Sequence, residues 1–240
     1  MIMKTKINVF YIAIMLVGLF GFFSCSDEES AGISKVSDLP VFNLIGGDLG
    51  VALGVPYVDQ YTVTMAGKDI KAQTKVTGTV DVNTSGPYVI NYEAKSAEGF
   101  VRSASRLVVV YDKASISMAD ISGKYISNIS RKTISTGATA KRGPFAVTIR
   151  KISDGLFYVD DFLGGWYNFG SAYGDRYAGS GYVVLKADNT MSVASSSIPA
   201  WGDTVSFFDV SSYNPTTGVI VFKSMMDAAT NFEFSVTLTK

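Results

Sequence analysis

The chain has 240 residues, with 21 basic and 21 acidic side chains, no histidine and one cysteine. The missing histidine excludes Ser-His-Asp and Cys-His nucleophile systems, imidazole bases and His-ligated zinc; a single cysteine excludes an intrachain disulfide; and balanced charge leaves no electrostatic footprint for nucleic acid. With 47% hydrophobic, 12% aromatic and 18% charged residues, the chain has material for a packed core in one or two domains.

Lys4 and Lys6 precede an uncharged apolar run from Ile7 to Phe23, and polarity returns abruptly after Ser24 and Cys25. A basic start, a hydrophobic stretch and a small residue at the cut form a secretory leader. The segment resembles a bacterial lipoprotein signal, with Phe22 where that motif usually carries leucine. The resemblance implies removal of residues 1–24 and acylation of Cys25, each buried methylene of the acyl chains contributing about 0.8 kcal/mol of membrane affinity. Ser26, Asp27, Glu28 and Glu29 resemble the acidic export signal that carries Bacteroidetes-type lipoproteins to the outer face of the outer membrane. Residues 25–38 are then a polar tether. Removing Lys4 and Lys6 with the leader leaves the mature chain slightly acidic, so anchoring rests on lipid and not on a polybasic patch.

From 39 to 112 the chain reads as short β runs separated by turn residues, without a sustained helical period. Tyr88, Ile90, Tyr92 and Ala94 share one face by the two-residue period and are expected in the core. The Gly86-Pro87-Tyr88 start of that strand is where β-sandwiches place a tyrosine corner. Arg106 to Tyr111 forms the next strand, after a turn at Glu98 and Gly99. Leu53 to Asp59, Ala66 to Ile70, Val80-Asp81, Gly86 to Tyr88 and Arg106 to Val110 together resemble bacterial immunoglobulin-like (Ig-like) domains of surface lipoproteins. Such domains act as spacers or docking modules, and the resemblance implies no catalytic residue.

After a linker at 113–119, residues 120–240 contain eight further strands. They run from Tyr125 to Ile129, Phe145 to Ile152, Leu156 to Asp160, Tyr182 to Ala187, Met191 to Ala194, Val205 to Val210, Val219 to Phe222 and Phe232 to Thr239. Hairpin-like connections predict an antiparallel meander closed as a lipocalin-like barrel, with a second sandwich as the alternative. The expected fold class is therefore all-β, an N-terminal Ig-like sandwich followed by this β domain. Together with the leader, the two halves resemble an uncharacterised Bacteroidetes-type surface lipoprotein family, often accessory to starch-utilisation-system-like transporters.

Between Asp161 and Ser180, Phe162, Trp166, Tyr167, Phe169, Tyr173 and Tyr177 alternate with glycines. A loop this long is usually functional, and its aromatics suit three roles: a plug for one barrel end, a platform for a glycan or oligopeptide, or a protein contact. Trp201 is expected near the same end. Asp160 and Asp161 are adjacent and point to opposite faces of a strand, so they do not pair as acid and base. Thr136 to Pro144, with Lys141 and Arg142, reads as an exposed hairpin loop. Asp203-Thr204-Val205 resembles the periplasmic O-glycosylation pattern of this lipoprotein class, which makes Thr204 an acceptor if it is exposed.

These features point to a non-enzymatic outer-membrane surface lipoprotein with no cofactor, metal or catalytic residue. Its expected role is accessory subunit of a nutrient-uptake complex, and its partners a transporter barrel and its lid lipoprotein. The alternatives are a glycan- or peptide-binding protein acting alone through the aromatic loop, and an Asp-dependent hydrolase.

Overall fold

The computed structural model describes residues 37–240; the leader, Cys25 and the Ser26, Asp27, Glu28, Glu29 cluster lie outside the described residues. The Ig-like half contains β1 (Val41–Leu44), β2 (Leu49–Ala52), β3 (Tyr61–Met65), β4 (Lys68–Asp69), β5 (Lys75–Thr77), β6 (Gly86–Lys95) and β7 (Val101–Tyr111). They form two sheets, ordered β1-β3-β4 and β2-β7-β6-β5. The β2–β7 pair is parallel, and the β6–β7 hairpin is antiparallel with Tyr88 opposite Val108. Alternation in β6 buries Ile90, Tyr92 and Ala94 on one face, while Phe42 and Tyr61 from the other sheet close over the Tyr92 ring.

One charged group sits in that core. The Arg106 side chain is 0% exposed and pairs with Asp59 at 2.6 Å, and its Nη2 donates to the Ile45 and Gln60 carbonyls at 2.9 Å. The hydroxyls of Tyr57 and Tyr92 donate to the same carboxylate. A buried cation is tolerable only when paired and hydrogen-bonded in this way.

The Tyr88 hydroxyl donates to the carbonyl of Thr84, four residues upstream, which is the geometry of a tyrosine corner. The device recurs at the start of the second half, where Tyr125 follows Gly123 and donates to the Ile121 carbonyl at 2.7 Å. Each Gly-x-Tyr segment thus clamps a strand to the turn that feeds it.

The C-terminal half contains β8 (Gly123–Thr133), β9 (Thr139–Ser153), β10 (Leu156–Val159), β11 (Ser180–Leu185), β12 (Met191–Ser197), β13 (Val205–Tyr213), β14 (Ile220–Met226) and β15 (Phe232–Thr239). Every neighbour in the sheet is a neighbour in sequence except one, because β15 returns to pair with β8 along its length, Phe232 opposite Thr133 and Thr239 opposite Ile126. The result is a near-closed, eight-stranded, antiparallel up-and-down barrel rather than a second sandwich. Its seam lies between β12 and β13, where serine hydroxyls replace most of the ladder. Ser196 Oγ exchanges hydrogen bonds with both the carbonyl and the N–H of Val205, and Ser211 Oγ donates to the Met191 carbonyl. Isolated bridges at the two ends of the seam, Thr190 to Ser212 and Ile198 to Asp203, join the flanking chain directly.

The Ig-like half is not a separate bead. Residues Arg106 to Val110 are buried on both faces of β7: Val108 faces the Ig-like core, while Leu107 and Val109 pack with Leu156, Ile152, Tyr182, Val184 and Ala194 of the barrel. A strand covered on both sides reads as a continuous apolar run, which is what this sequence shows. The 113–119 segment also lies against the barrel, with Ile116 buried and bridged to Lys186.

Candidate functional site

The barrel has no empty lumen. Tyr125, Ile129, Val147, Ile149, Phe157, Val183, Leu185, Phe222, Phe234, Val236 and Leu238 point inward, and the β10–β11 loop drops Phe162, Leu163, Trp166 and Tyr167 into one end as a plug. Gly164 and Gly165 permit this. Their φ values are +64° and +93°, and a Cβ on either would come within 3 Å of Ile129 or Phe145.

Asp161 pins the plug. One carboxylate oxygen accepts the Leu163 and Gly179 N–H groups at 2.8 and 3.1 Å, and the other accepts Gly165 N–H at 2.9 Å, so one buried side chain holds both ends of the loop. Burial pushes this carboxyl up to about 7, against the downward pull of the three N–H groups. Asp160 faces elsewhere, accepts Thr148 N–H at 2.8 Å, and is also raised by burial. Ser224 Oγ donates to the Phe162 carbonyl at 2.8 Å beneath the plug.

The aromatic residues divide into two sets. Trp166 is 1% exposed and packs edge-to-face on Phe234, so it fills the barrel end rather than facing solvent. Tyr167 is buried too, but its ring begins a closed circuit of four. Tyr167 stacks on Tyr173 at 6.1 Å, Tyr173 meets Tyr177 at 5.2 Å, Tyr177 meets Trp201 at 5.0 Å, and Trp201 returns to Tyr167 at 4.8 Å. Tyr173 and Trp201 remain 55% and 43% exposed, and Phe169, stacked on Phe145, is 49% exposed. The structure therefore brings Trp201 from the β12–β13 loop onto the β10–β11 loop, the juxtaposition expected from the sequence.

Two arginines stand on this end: Arg131, which the sequence reading does not single out, and Arg142, which it places in an exposed loop. Thr136 to Pro144 is not an exposed hairpin loop throughout, because β9 begins at Thr139 and pairs with β8, Thr139 opposite Lys132. A bulge opposite Ser127 to Ile129, with Gly143 at φ +116°, re-aims the strand so that the Arg142 guanidinium lies 4.4 Å from the Trp166 ring centre. Arg142 Nη1 donates to the Trp166 carbonyl at 3.1 Å and to Ser171 Oγ at 2.7 Å. Arg131 lies 4.6 Å from the same indole and 4.4 Å from the Phe232 ring. The sequence carried a signal for Arg131, since it follows Tyr125, Ser127 and Ile129 in the inward-facing phase of β8.

Beside Phe169 a cavity of about 330 Å³ is lined by Tyr158, Asp160, Asn168, Asp175 and Ser180, among others. No group of three or more His, Cys, Asp or Glu side chains suited to a metal occurs among the described residues. Thr204 is exposed, and its hydroxyl donates to Asp227, while Asp203 accepts the N–H groups of Thr204 and Ala228.

Residues 46–110 match the family model of the bacterial surface protein Ig-like domain, and residues 115–240 match a family model for a C-terminal domain. Among solved structures, the lipoprotein BT2262 from Bacteroides thetaiotaomicron is 28% identical, with 84% of this chain and 100% of that chain covered at a TM-score of 0.45. A Bacteroides ovatus structural-genomics protein of unknown function is 12% identical, with 74% and 65% covered at a TM-score of 0.32. A multidomain protein including DUF1735, also from Bacteroides ovatus, is 12% identical, with 75% and 64% covered at a TM-score of 0.27. No curated protein matches.

Proposed function

We propose that this chain, which belongs to the family defined by the C-terminal domain model at residues 115–240 and carries a bacterial surface-protein Ig-like domain before it, is a lipid-anchored, non-enzymatic accessory subunit of an outer-membrane nutrient-uptake complex. Acylation at Cys25 supplies the anchor and the acidic residues after it direct the protein to the cell exterior. The aromatic end of the barrel docks on a transporter barrel or its lid lipoprotein, which imports oligopeptides or glycans.

The observation that carries this reading is the division of the aromatics. A barrel filled by its own loop has no lumen for a lipocalin-type ligand, yet the same loop leaves Phe169, Tyr173 and Trp201 facing solvent. Exposed aromatics beside arginine have the composition of interface anchors. The aspartates that a hydrolase would need are engaged otherwise, Asp161 by three backbone N–H groups and Asp160 by one.

Recovery of the native lipoprotein from membranes in mild detergent tests the reading, with stoichiometric co-purification of a transporter expected. Trp201→Ala and Tyr173→Ala should reduce that recovery. The cavity beside Phe169 favours a second reading, direct binding of a glycan or peptide. Recovery of the lipoprotein alone, with an oligosaccharide or oligopeptide affinity lost in Phe169→Ala, would establish the second reading in place of the first.

A further inference from the structure

We infer that the guanidinium groups of Arg131 and Arg142, seated on Trp166 at the plugged end of the barrel, form a recognition site for carboxylate side chains on an acidic segment of a protein partner. The inference rests on the docking reading above and names the chemistry of the contact.

Both arginines are half-buried, and neither lies within ion-pair distance of a carboxylate among the described residues. Arg131 is the more telling. Its guanidinium is held between the Trp166 and Phe232 rings, and its Nε is buried without an acceptor. Guanidinium does not lose its proton, so the positive charge stays at this end across the physiological range. Arg106 also has a buried Nε without an acceptor, so that donor by itself marks no site; the contrast lies in the charge, which Asp59 neutralises at Arg106 and no carboxylate among the described residues neutralises at Arg131. At the barrel end the positive charge is instead stacked on aromatic faces; Arg142 Nη1 is held by the Trp166 carbonyl and Ser171 Oγ and Arg131 by the Tyr167 hydroxyl, which fixes both groups and leaves the remaining N–H groups of the forks for an acceptor.

The acids closest in the chain to this end are already occupied or lie elsewhere. Glu233, between Phe232 and Phe234, pairs with Lys132 at 3.7 Å, Asp161 is enclosed by backbone N–H groups, Asp203 accepts two backbone N–H groups, Asp227 receives the Thr204 hydroxyl, and Asp160 and Asp175 line the cavity beside Phe169. A carboxylate brought from outside meets two arginines that stack on one indole, at the barrel end that also carries the exposed rings of Phe169, Tyr173 and Trp201. Arginine with tyrosine and tryptophan is the residue set that dominates protein-interface hot spots, which favours an acidic protein segment over a free sugar acid. A bidentate carboxylate on a fixed guanidinium also gives orientation to a docking event that aromatic contact alone leaves loose.

The test is calorimetric titration of the purified full chain with two synthetic decapeptides of alternating sequence, one glutamate and leucine, the other glutamine and leucine. A third arm uses an oligogalacturonate of similar charge. The glutamate peptide should bind, weaken as salt is raised from 50 to about 300 mM, and lose at least about tenfold in affinity in Arg131→Gln. Arg131→Lys, which keeps the charge and loses the fork, should fall between the two, and Trp201→Ala should weaken both peptides. Equal binding of the two peptides, indifference to Arg131→Gln, absence of binding, or preference for the oligogalacturonate would each overturn the proposal. If Arg131→Gln does not fold, the salt dependence and Arg131→Lys still decide. Failure here, with transporter co-purification intact, removes the carboxylate contact and leaves the docking reading standing.

Discussion

The Tyr182 hydroxyl, on a barrel strand, donates to the Asp48 carboxylate of the Ig-like half, whose other oxygen accepts the Leu107 N–H at 2.6 Å. One carboxylate thus joins β7 to β11 across the apolar seam of Leu107, Val109 and Leu156. Burial, and next the Asp48 carboxylate, raise the phenol pKa, so Tyr182 keeps the proton it donates through the physiological range.

That junction predicts a single cooperative unfolding transition for residues 39–240. Tyr182→Phe should cost about 1.5–3 kcal/mol, the range for a hydrogen bond to a charged group. Gly50→Leu should do more than weaken the fold, because a Cβ at Gly50 would lie 1.9 Å from Ser153 Oγ. Calorimetry should resolve two transitions in Gly50→Leu and one in the native chain; two in the native chain would refute the shared core.

Arg106→Ala should destabilise the Ig-like half by about 3–5 kcal/mol, because Asp59 is left without its countercharge while still tied to Tyr57 and Tyr92. Chemical denaturation monitored by tyrosine fluorescence reads this directly. The paired change Arg106→Met with Asp59→Leu should recover much of the loss, since replacing a buried ion pair by apolar side chains is often neutral.

The two tryptophans should behave oppositely. Trp166→Ala empties the barrel end and should cost about 3–5 kcal/mol, whereas Trp201→Ala, at the exposed side of the ring circuit, should cost about 1 kcal/mol or less. Thermal melts of the two variants give the comparison, and equal losses would mean that the plug is not core.

Asp161 should leave a pH signature. Its folded-state value is raised by burial to about 7 from an ordinary carboxylate value, so the protonated form is the one that the fold favours. The stabilisation it contributes is therefore complete below about pH 4 and is lost as pH rises through about 7. Asp161→Asn should be less stable at low pH, through the mismatch of its amide with three N–H donors, and should lack this loss. Melting temperatures of both proteins from pH 4 to 8 should converge toward neutrality, and parallel curves would argue against the titration.

The strands themselves were legible. Period-two alternation in Tyr88 to Ala94 and in Phe232 to Leu238 marks core faces from neighbours alone, and the Gly-x-Tyr corner at Tyr88 is encoded within five residues. The continuous Arg106 to Val110 run also announced a buried strand, but which second surface covers it lies far along the chain at Leu156 and Tyr182.

Local sequence determined where strands begin, end and turn, because side-chain alternation and glycine turns act over a few residues. It also determined the function classes that a chain without histidine excludes. Only the tertiary structure decided which aromatics of the Asp161 to Ser180 loop are core and which are surface, and only it placed Arg142 on Trp166. Both depend on how β8, β9 and β15 close around the loop, and barrel closure is a pairing between residues about a hundred positions apart that no local pattern records.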